Sequence, residues 1–465
     1  MTSVDIQLLA TAAGGVLLLV VLIVSRSRLH PLLALLITSL GVGLAAGMPS
    51  ETVLKSIESG AGHTLGAVGL VVALGAMLGK ILADAGVTES ISELILRKTS
   101  VRLLPWAMAG AAFVIGIPMF FEVGLVVLLP LIFGVARKLD AASSIKGSAY
   151  VYVGVPVIAA LAAMHGMVPP HPGPLTAIAA LNANVGATML YGFIAAIPAI
   201  VLGGPLYGAL VTPRMSVTPD QTLLDQFVAK RASDDFGASL PRPSLGLGLL
   251  ATLLPALLML LNAMAELVFA KDSAIVHATG FIGHPVIAML LGVLFASLVL
   301  VLLRGGASEA LRGALSASVK PIANVLLIIA GGGAFQRVLT DAKVGDAIMH
   351  MSQQLSLSPL ILGWIISMLL SVSTGSATVG IVGASGLLAP LAASGVAVNA
   401  PLLALSIGCG SLFFNYANHA GFWLVKESFG MSMGEATATI STIQSIVSLV
   451  GLAMVLLMNL LPPLA

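Results

Sequence analysis

The sequence predicts an all-α polytopic membrane protein of two inverted-topology repeats, with broken helices and re-entrant hairpins and about 10–14 membrane segments. Three observations lead there. The chain is 58% hydrophobic and only 9% charged over 465 residues, far from the composition of a soluble domain. A single long polar stretch, Thr212–Pro243, interrupts the apolar sequence near its middle. A segment on one side of that stretch recurs on the other.

Apolar runs long enough to cross a bilayer are Ile6–Val24, Leu29–Met48, Leu245–Leu261 with its extension to Ala270, Phe281–Leu303 and Thr439–Leu461. Ile6–Val24 has no basic stretch before it and no clear small-residue cleavage site before Arg26, so it is expected to be a retained first span. The polar stretch is too short for an ordinary domain. The expected organisation is a first membrane repeat over 1–211, a cytoplasmic linker over 212–243 and a second repeat over 244–465.

Gly75–Ile91 aligns without gaps to Gly332–Ile348, with six identities and with Lys80 facing Arg337. Each copy carries a basic residue and an acid four positions apart, Lys80/Asp84 and Arg337/Asp341, which is helical spacing. These pairs read either as interfacial ion pairs with snorkelling stems or as gating pairs. Basic residues at Arg26, Arg28, Arg97, Lys98, Arg102, Arg137, Lys138, Lys146, Arg304, Arg312 and Lys320 assign their loops to the cytoplasm. The helix over 65–84 then runs inward and the helix over 322–341 outward, so the repeats are expected to be antiparallel.

The breaks in this apolar background mark the expected site. Val168-Pro-Pro-His-Pro-Gly-Pro174 has four prolines in seven residues, and proline neither donates a backbone hydrogen bond nor continues a helix. Such backbone survives at membrane depth only where protein or a watery cavity surrounds it. His171 precedes proline and is expected to be extended, with Pro174 as a candidate first helical residue. Glu122 is the only charge between Arg102 and Arg137 and lies beside Gly116 and Pro118. It is either a proton carrier or a structural acid receiving the freed amides of its own helix. Ser371–Gly380, rich in Ser, Thr and Gly, fits either a hairpin tip that offers amides to an anion or tight helix packing. Asn415, Asn418 and His419 suit hydrogen bonding to sugar hydroxyls or an interhelical cluster. The substrate-binding candidates are therefore His171, Gly173, Thr176, Ser373, Thr374, Ser376, Thr378, Asn415, Asn418 and His419. The proton-coupling candidates are Glu122, His165 and Asp84.

Other classes find little footing. The net charge of +2 is scattered, which argues against a nucleic-acid surface. The lone Cys409 precludes an internal disulfide or a Cys-rich metal cluster. Two histidines six apart with no third ligand are poor evidence for a metal. No Gly-x-x-x-x-Gly-Lys-Ser/Thr, His-Glu-x-x-His or Gly-x-Ser-x-Gly occurs, so neither direct ATP coupling nor a hydrolase announces itself, and no cofactor is expected.

Ser59-Gly-Ala-Gly-His-Thr-Leu-Gly66, Gly75-Ala-Met-Leu-Gly-Lys80, Phe120-Phe-Glu-Val-Gly124, Pro169-Pro-His-Pro-Gly-Pro174 and Asn415-Tyr-Ala-Asn-His-Ala-Gly421 together resemble the gluconate permease family, the gluconate:proton symporters of the wider ion-transporter superfamily. The resemblance spans nearly the whole chain. It implies a non-enzymatic, multi-pass carrier in the bacterial inner membrane, driven by protons and taking gluconate or a related hydroxy acid. Relatives are associated with gluconate, idonate, fructuronate, glycerate and D-serine. A sodium-coupled carrier of another small hydroxy or amino acid, a passive channel and a membrane-embedded hydrolase are the competing readings, and a homo-oligomer is compatible with all of them.

Overall fold

The computed structural model describes residues 2–24, 29–87, 90, 91, 94, 99–141, 145–219, 243–270, 272–344, 347, 358–393, 398–416 and 419–462. Among these residues the chain is helical and contains no strand. Most of the expected linker, together with Asn418, lies outside the described residues.

In the first half the helices are α1 (Ser3–Val24), α2 (Pro31–Ala45), α3 (Ser50–Asp84), α4 (Leu104–Gly116), α5 (Phe121–Ala141), α6 (Ala149–Met167), α7 (Pro172–Leu181) and α8 (Val185–Arg214). In the second half they are α9 (Leu245–Val268), α10 (Ala274–Ile282), α11 (Pro285–Arg304), α12 (Ser308–Val319), α13 (Ala323–Asp341), α14 (Pro359–Thr374), α15 (Ala377–Ala393), α16 (Ala400–Ser411), α17 (Ala420–Phe429) and α18 (Met433–Met458). Seven helices among the described residues are long and apolar enough to cross a membrane. Local chemistry sets many starts. Pro31, Pro172, Pro285 and Pro359 occupy first helical positions, where a missing N–H costs nothing. The Ser148, Asn184, Ser244 and Asn399 side chains accept from the first-turn amides of α6, α8, α9 and α16.

Several boundaries differ from the sequence reading. The expected span Phe281–Leu303 is interrupted at Gly283 and His284, because Pro285 opens a new helix. The segment 65–84 is the second part of α3, which begins at Ser50 and contains a π-helical turn over Leu65–Gly69. The Pro-rich break is narrower than expected: Pro172, not Pro174, is the first helical residue. His171 is extended at φ −61°, ψ 146°, as a residue before proline should be.

The element order of the first half returns in the second, and the packing pairs recur in exchanged form. The first part of α3 packs on α13, and α12 packs on the second part of α3. α4 packs on α6 as α14 packs on α16, and α6 meets α18 as α16 meets α8. α3 and α13 meet glycine on glycine: a Cβ on Gly60 would collide with the Gly333 carbonyl oxygen, and one on Gly333 with that of Gly60. Two backbones in direct contact are a common device for joining helices in lipid, where apolar burial supplies no drive. The crossing is antiparallel, since Gly60 lies against Gly333 while Gly69 reaches Leu326 and Ser56 reaches Asp341.

Candidate functional site

Four broken elements meet at the centre. α4 and α5 form a hairpin whose turn is Ile117–Phe120, and α14 and α15 form a second, turned at Gly375 and Ser376. At about 20 and 24 Å, α4 and α14 are each shorter than the ~30 Å hydrocarbon thickness. α6 breaks before α7 at Val168–His171, and α16 breaks before α17. Gly375 turns the second tip with φ +69°, a conformation that costs glycine nothing. The Ser376 hydroxyl then accepts from the Val379 amide at 3.3 Å and caps α15.

Between the breaks is a cavity of ≈ 300 Å³, at the lower end of small-molecule sites. Phe120, Glu122 and Val123 come from the first tip, and Gly375, Ser376, Ala377 and Thr378 from the second. His165 and Pro172 come from the α6–α7 break, and His419 and Ala420 from the start of α17. Ile322 and Ile328 close one side. The starts of α5, α7, α15 and α17 all border this space, so four helix N-termini present partial positive charge to it. Its lining among the described residues includes no lysine or arginine.

Glu122, His165 and His419 share this cavity although 297 residues separate the first from the last (419 − 122). The Glu122 carboxylate receives no hydrogen bond from the described residues, and it lines the same cavity as both imidazoles. His165 has a buried Nδ1 without a partner among the described residues. Its ring meets that of His171 edge-on, with centroids 6.1 Å apart. His419 Nδ1 accepts from the Gly421 amide at 3.2 Å, which holds the ring at the start of α17.

The remaining candidates lie elsewhere. His171 is behind the wall, with Nδ1 3.1 Å from the Val168 carbonyl and Nε2 2.6 Å from that of Met119. It thereby ties the Pro-rich break to the first hairpin tip. Gly173 is where α7 reaches α15; a Cβ there would collide with Ile381. Thr176 and Thr374 donate to carbonyls of their own helices, Pro172 and Leu370, each at 2.7 Å. Ser373 faces a peripheral apolar groove with Leu9 and Leu369. Asn415 is buried, accepts from Ser371 Oγ at 3.1 Å and donates to the Ser411 carbonyl at 3.3 Å, the interhelical cluster already weighed for it.

Two further cavities flank the centre. One, of ≈ 250 Å³, holds Lys80 and Asp84, joined at 2.6 Å. It shares Phe120, Val123 and Ile322 with the central cavity. The other, of ≈ 380 Å³, holds Arg337, whose Nε donates to Asp341 at 3.0 Å. Arg337 packs against Gly60, and Lys80 stands about 30 Å further along α3 at 1.5 Å per residue. The two cavities are thus on opposite sides of the bundle. Sequence reasoning missed Phe120, Pro172, Ala377 and Ala420; the available signal was their position at the edge of each break.

A polytopic helical fold, with half-helices starting at one central cavity, defines a membrane transporter. The chain belongs to the GntP family permeases, whose sequence profile it matches over residues 6–461. It is 40% identical over 456 residues to a gluconate permease of Pseudomonas aeruginosa, covering 98% of both chains. It is 38% identical to the high-affinity gluconate transporter of Escherichia coli, covering 97% of this chain and 99% of that one. Among solved structures it resembles the efflux pump MtrF of Neisseria gonorrhoeae, with a TM-score of 0.63, 12% identity and coverage of 94% and 96%, a likeness of fold alone.

Proposed function

We propose that the protein takes up gluconate, or a closely related small sugar acid, across the bacterial inner membrane by proton symport, with the central cavity as its binding site. The observation that carries this reading is the meeting of four helix N-termini with Glu122 in one space. The amides at the N-termini attract a carboxylate, and Ser376, Thr378 and the imidazoles offer hydrogen bonds to hydroxyls. Glu122 supplies the coupling. Two carboxylates in a cavity of ≈ 300 Å³ repel each other, so substrate binds most readily when one of them has taken a proton. Proton and substrate then travel together. His165 and His419 are the neighbouring groups through which that proton can reach Glu122.

The recurring element order and exchanged packing support two inverted repeats joined by a cytoplasmic linker over 212–243. In that orientation the Lys80 cavity faces the cytoplasm and the Arg337 cavity faces outward. A channel has no need of paired broken helices, whereas an alternating carrier rocks one repeat against the other around such a site. The test is purified protein in liposomes with imposed pH or sodium gradients, offered gluconate, idonate, glycerate and D-serine. Gluconate accumulation driven by the pH gradient is the expected result. Accumulation driven by sodium alone would replace the proton with sodium, and leakage without accumulation would make the protein a channel.

A further inference from the structure

The geometry points to a second carboxylate site on this protein, in the Arg337 cavity, where a sugar acid waits outside the central site. This inference rests on the uptake reading only for the identity of the ligand. Arg337 is half-exposed, and among the described residues its guanidinium makes one bond, Nε to Asp341. The two terminal nitrogens, the fork that grips a carboxylate through parallel hydrogen bonds, have no protein partner there. Asp341 is itself held by Ser56 Oγ at 2.6 Å and is not in the cavity wall. It therefore fixes the arginine without occupying the ligand's place. Ser59, His63, Thr64, Gln336 and Thr340 line the same ≈ 380 Å³ cavity. The Ser59 and Thr340 hydroxyls donate to the Ser56 and Gln336 carbonyls at 3.3 and 3.0 Å, which leaves their oxygens as acceptors for ligand hydroxyls. A cation at one end and neutral, mostly accepting groups along the rest match a molecule with one carboxylate and several hydroxyls that donate.

The cavity is separate from the centre. α15 begins at the central cavity with Ala377 and reaches the Arg337 cavity with Ala389, about 18 Å away at 1.5 Å per residue. The packed pair α7 and α15 fills the interval. Gln336 Nε2 donates to the Ala180 carbonyl at 3.2 Å across the α7 end of this seal.

The test is protection of an engineered thiol. Thr340→Cys places a reactive group in the cavity wall, while the native Cys409 is fully buried. Labelling by a soluble maleimide is followed in reconstituted protein with and without gluconate, next to uptake by the same preparation. Gluconate should slow labelling, and should still do so when Thr378→Val weakens the central site. Arg337→Gln should raise the gluconate concentration needed for protection about tenfold or more, with Arg337→Lys intermediate because it keeps charge but not the fork. Uptake with no protection would overturn the second site and leave the uptake reading standing. Protection without uptake would do the reverse. Protection that disappears with Thr378→Val yet survives Arg337→Gln would assign the effect to the central site and also overturn the proposal.

Discussion

The two halves of this molecule bring equivalent pieces of backbone to the same places and equip them differently. Lys80/Asp84 and Arg337/Asp341 occupy matching positions in the repeated segment, each at i,i+4. Yet Lys80 opens onto an apolar space walled by Met119, Val123 and Ile322, whereas Arg337 stands among polar side chains. Asp84 is 4% exposed and Asp341 25%. The hairpin tips diverge in the same way: the first brings a titratable acid, the second glycine and neutral hydroxyls. Under the inverted-repeat arrangement proposed above, the backbone geometry is supplied twice, while each side chain is free to take a separate task. The central cavity adjoins the Lys80 side and is sealed from the Arg337 side, so the state described here is asymmetric between the two.

The sharpest way to break this comparison is to make the two tips chemically alike. Glu122→Gln removes the acid and keeps its shape, and accumulation driven by a pH gradient should vanish while exchange at equal substrate concentrations survives. Wild-type accumulation by this variant would end the division of labour between the tips. A smaller effect separates the ion pairs. Lys80→Ala strips a buried carboxylate of its lysine and should lower unfolding stability in detergent by about 2 kcal/mol. Arg337→Ala acts on a more exposed pair that keeps Ser56 and should cost under about 1 kcal/mol. Equal shifts in the two thermal unfolding curves would remove the distinction. Thr378→Val should weaken apparent substrate affinity about tenfold with the pH dependence of uptake unchanged, because the second tip binds and the first couples. A change in the pH profile would assign coupling to both. Gly375→Ala forces alanine to φ +69° and should destabilise by about 1 kcal/mol through strain at the tip, as read from thermal unfolding.

Much of the architecture was legible because its causes are local. Proline starts helices at 172 and 285, because it lacks a donor that the first turn does not need, yet the sequence reading puts the first of these starts at Pro174 and runs one span through the second. Gly375 beside Ser376 announces a left-handed stop followed by a cap. Glu122 stood out because an acid in apolar sequence is expensive at membrane depth. His165, Ser376, Thr378 and His419 were singled out for similar reasons, and the fold brings all of them to the cavity with Glu122. His171, Thr176 and Asn415 carried the same kind of signal, but their polar atoms are engaged with backbone or with one another.

The sequence by itself determined that the chain is helical, that it crosses a membrane many times, and that its helices break near residues 169–172 and Gly375. Each of these follows from the hydropathy and hydrogen-bonding capacity of residues adjacent in the chain. Only the tertiary structure decided which breaks share a cavity, that His171 braces the first tip, and that Arg337 shares a cavity with hydroxyl and amide side chains from α3 and α13. Those outcomes depend on the rotation of each helix about its own axis, which is set by glycine contacts such as Gly60 on Gly333. A helix in apolar surroundings can bury almost any face, so its polar groups acquire partners only when a distant segment packs against it.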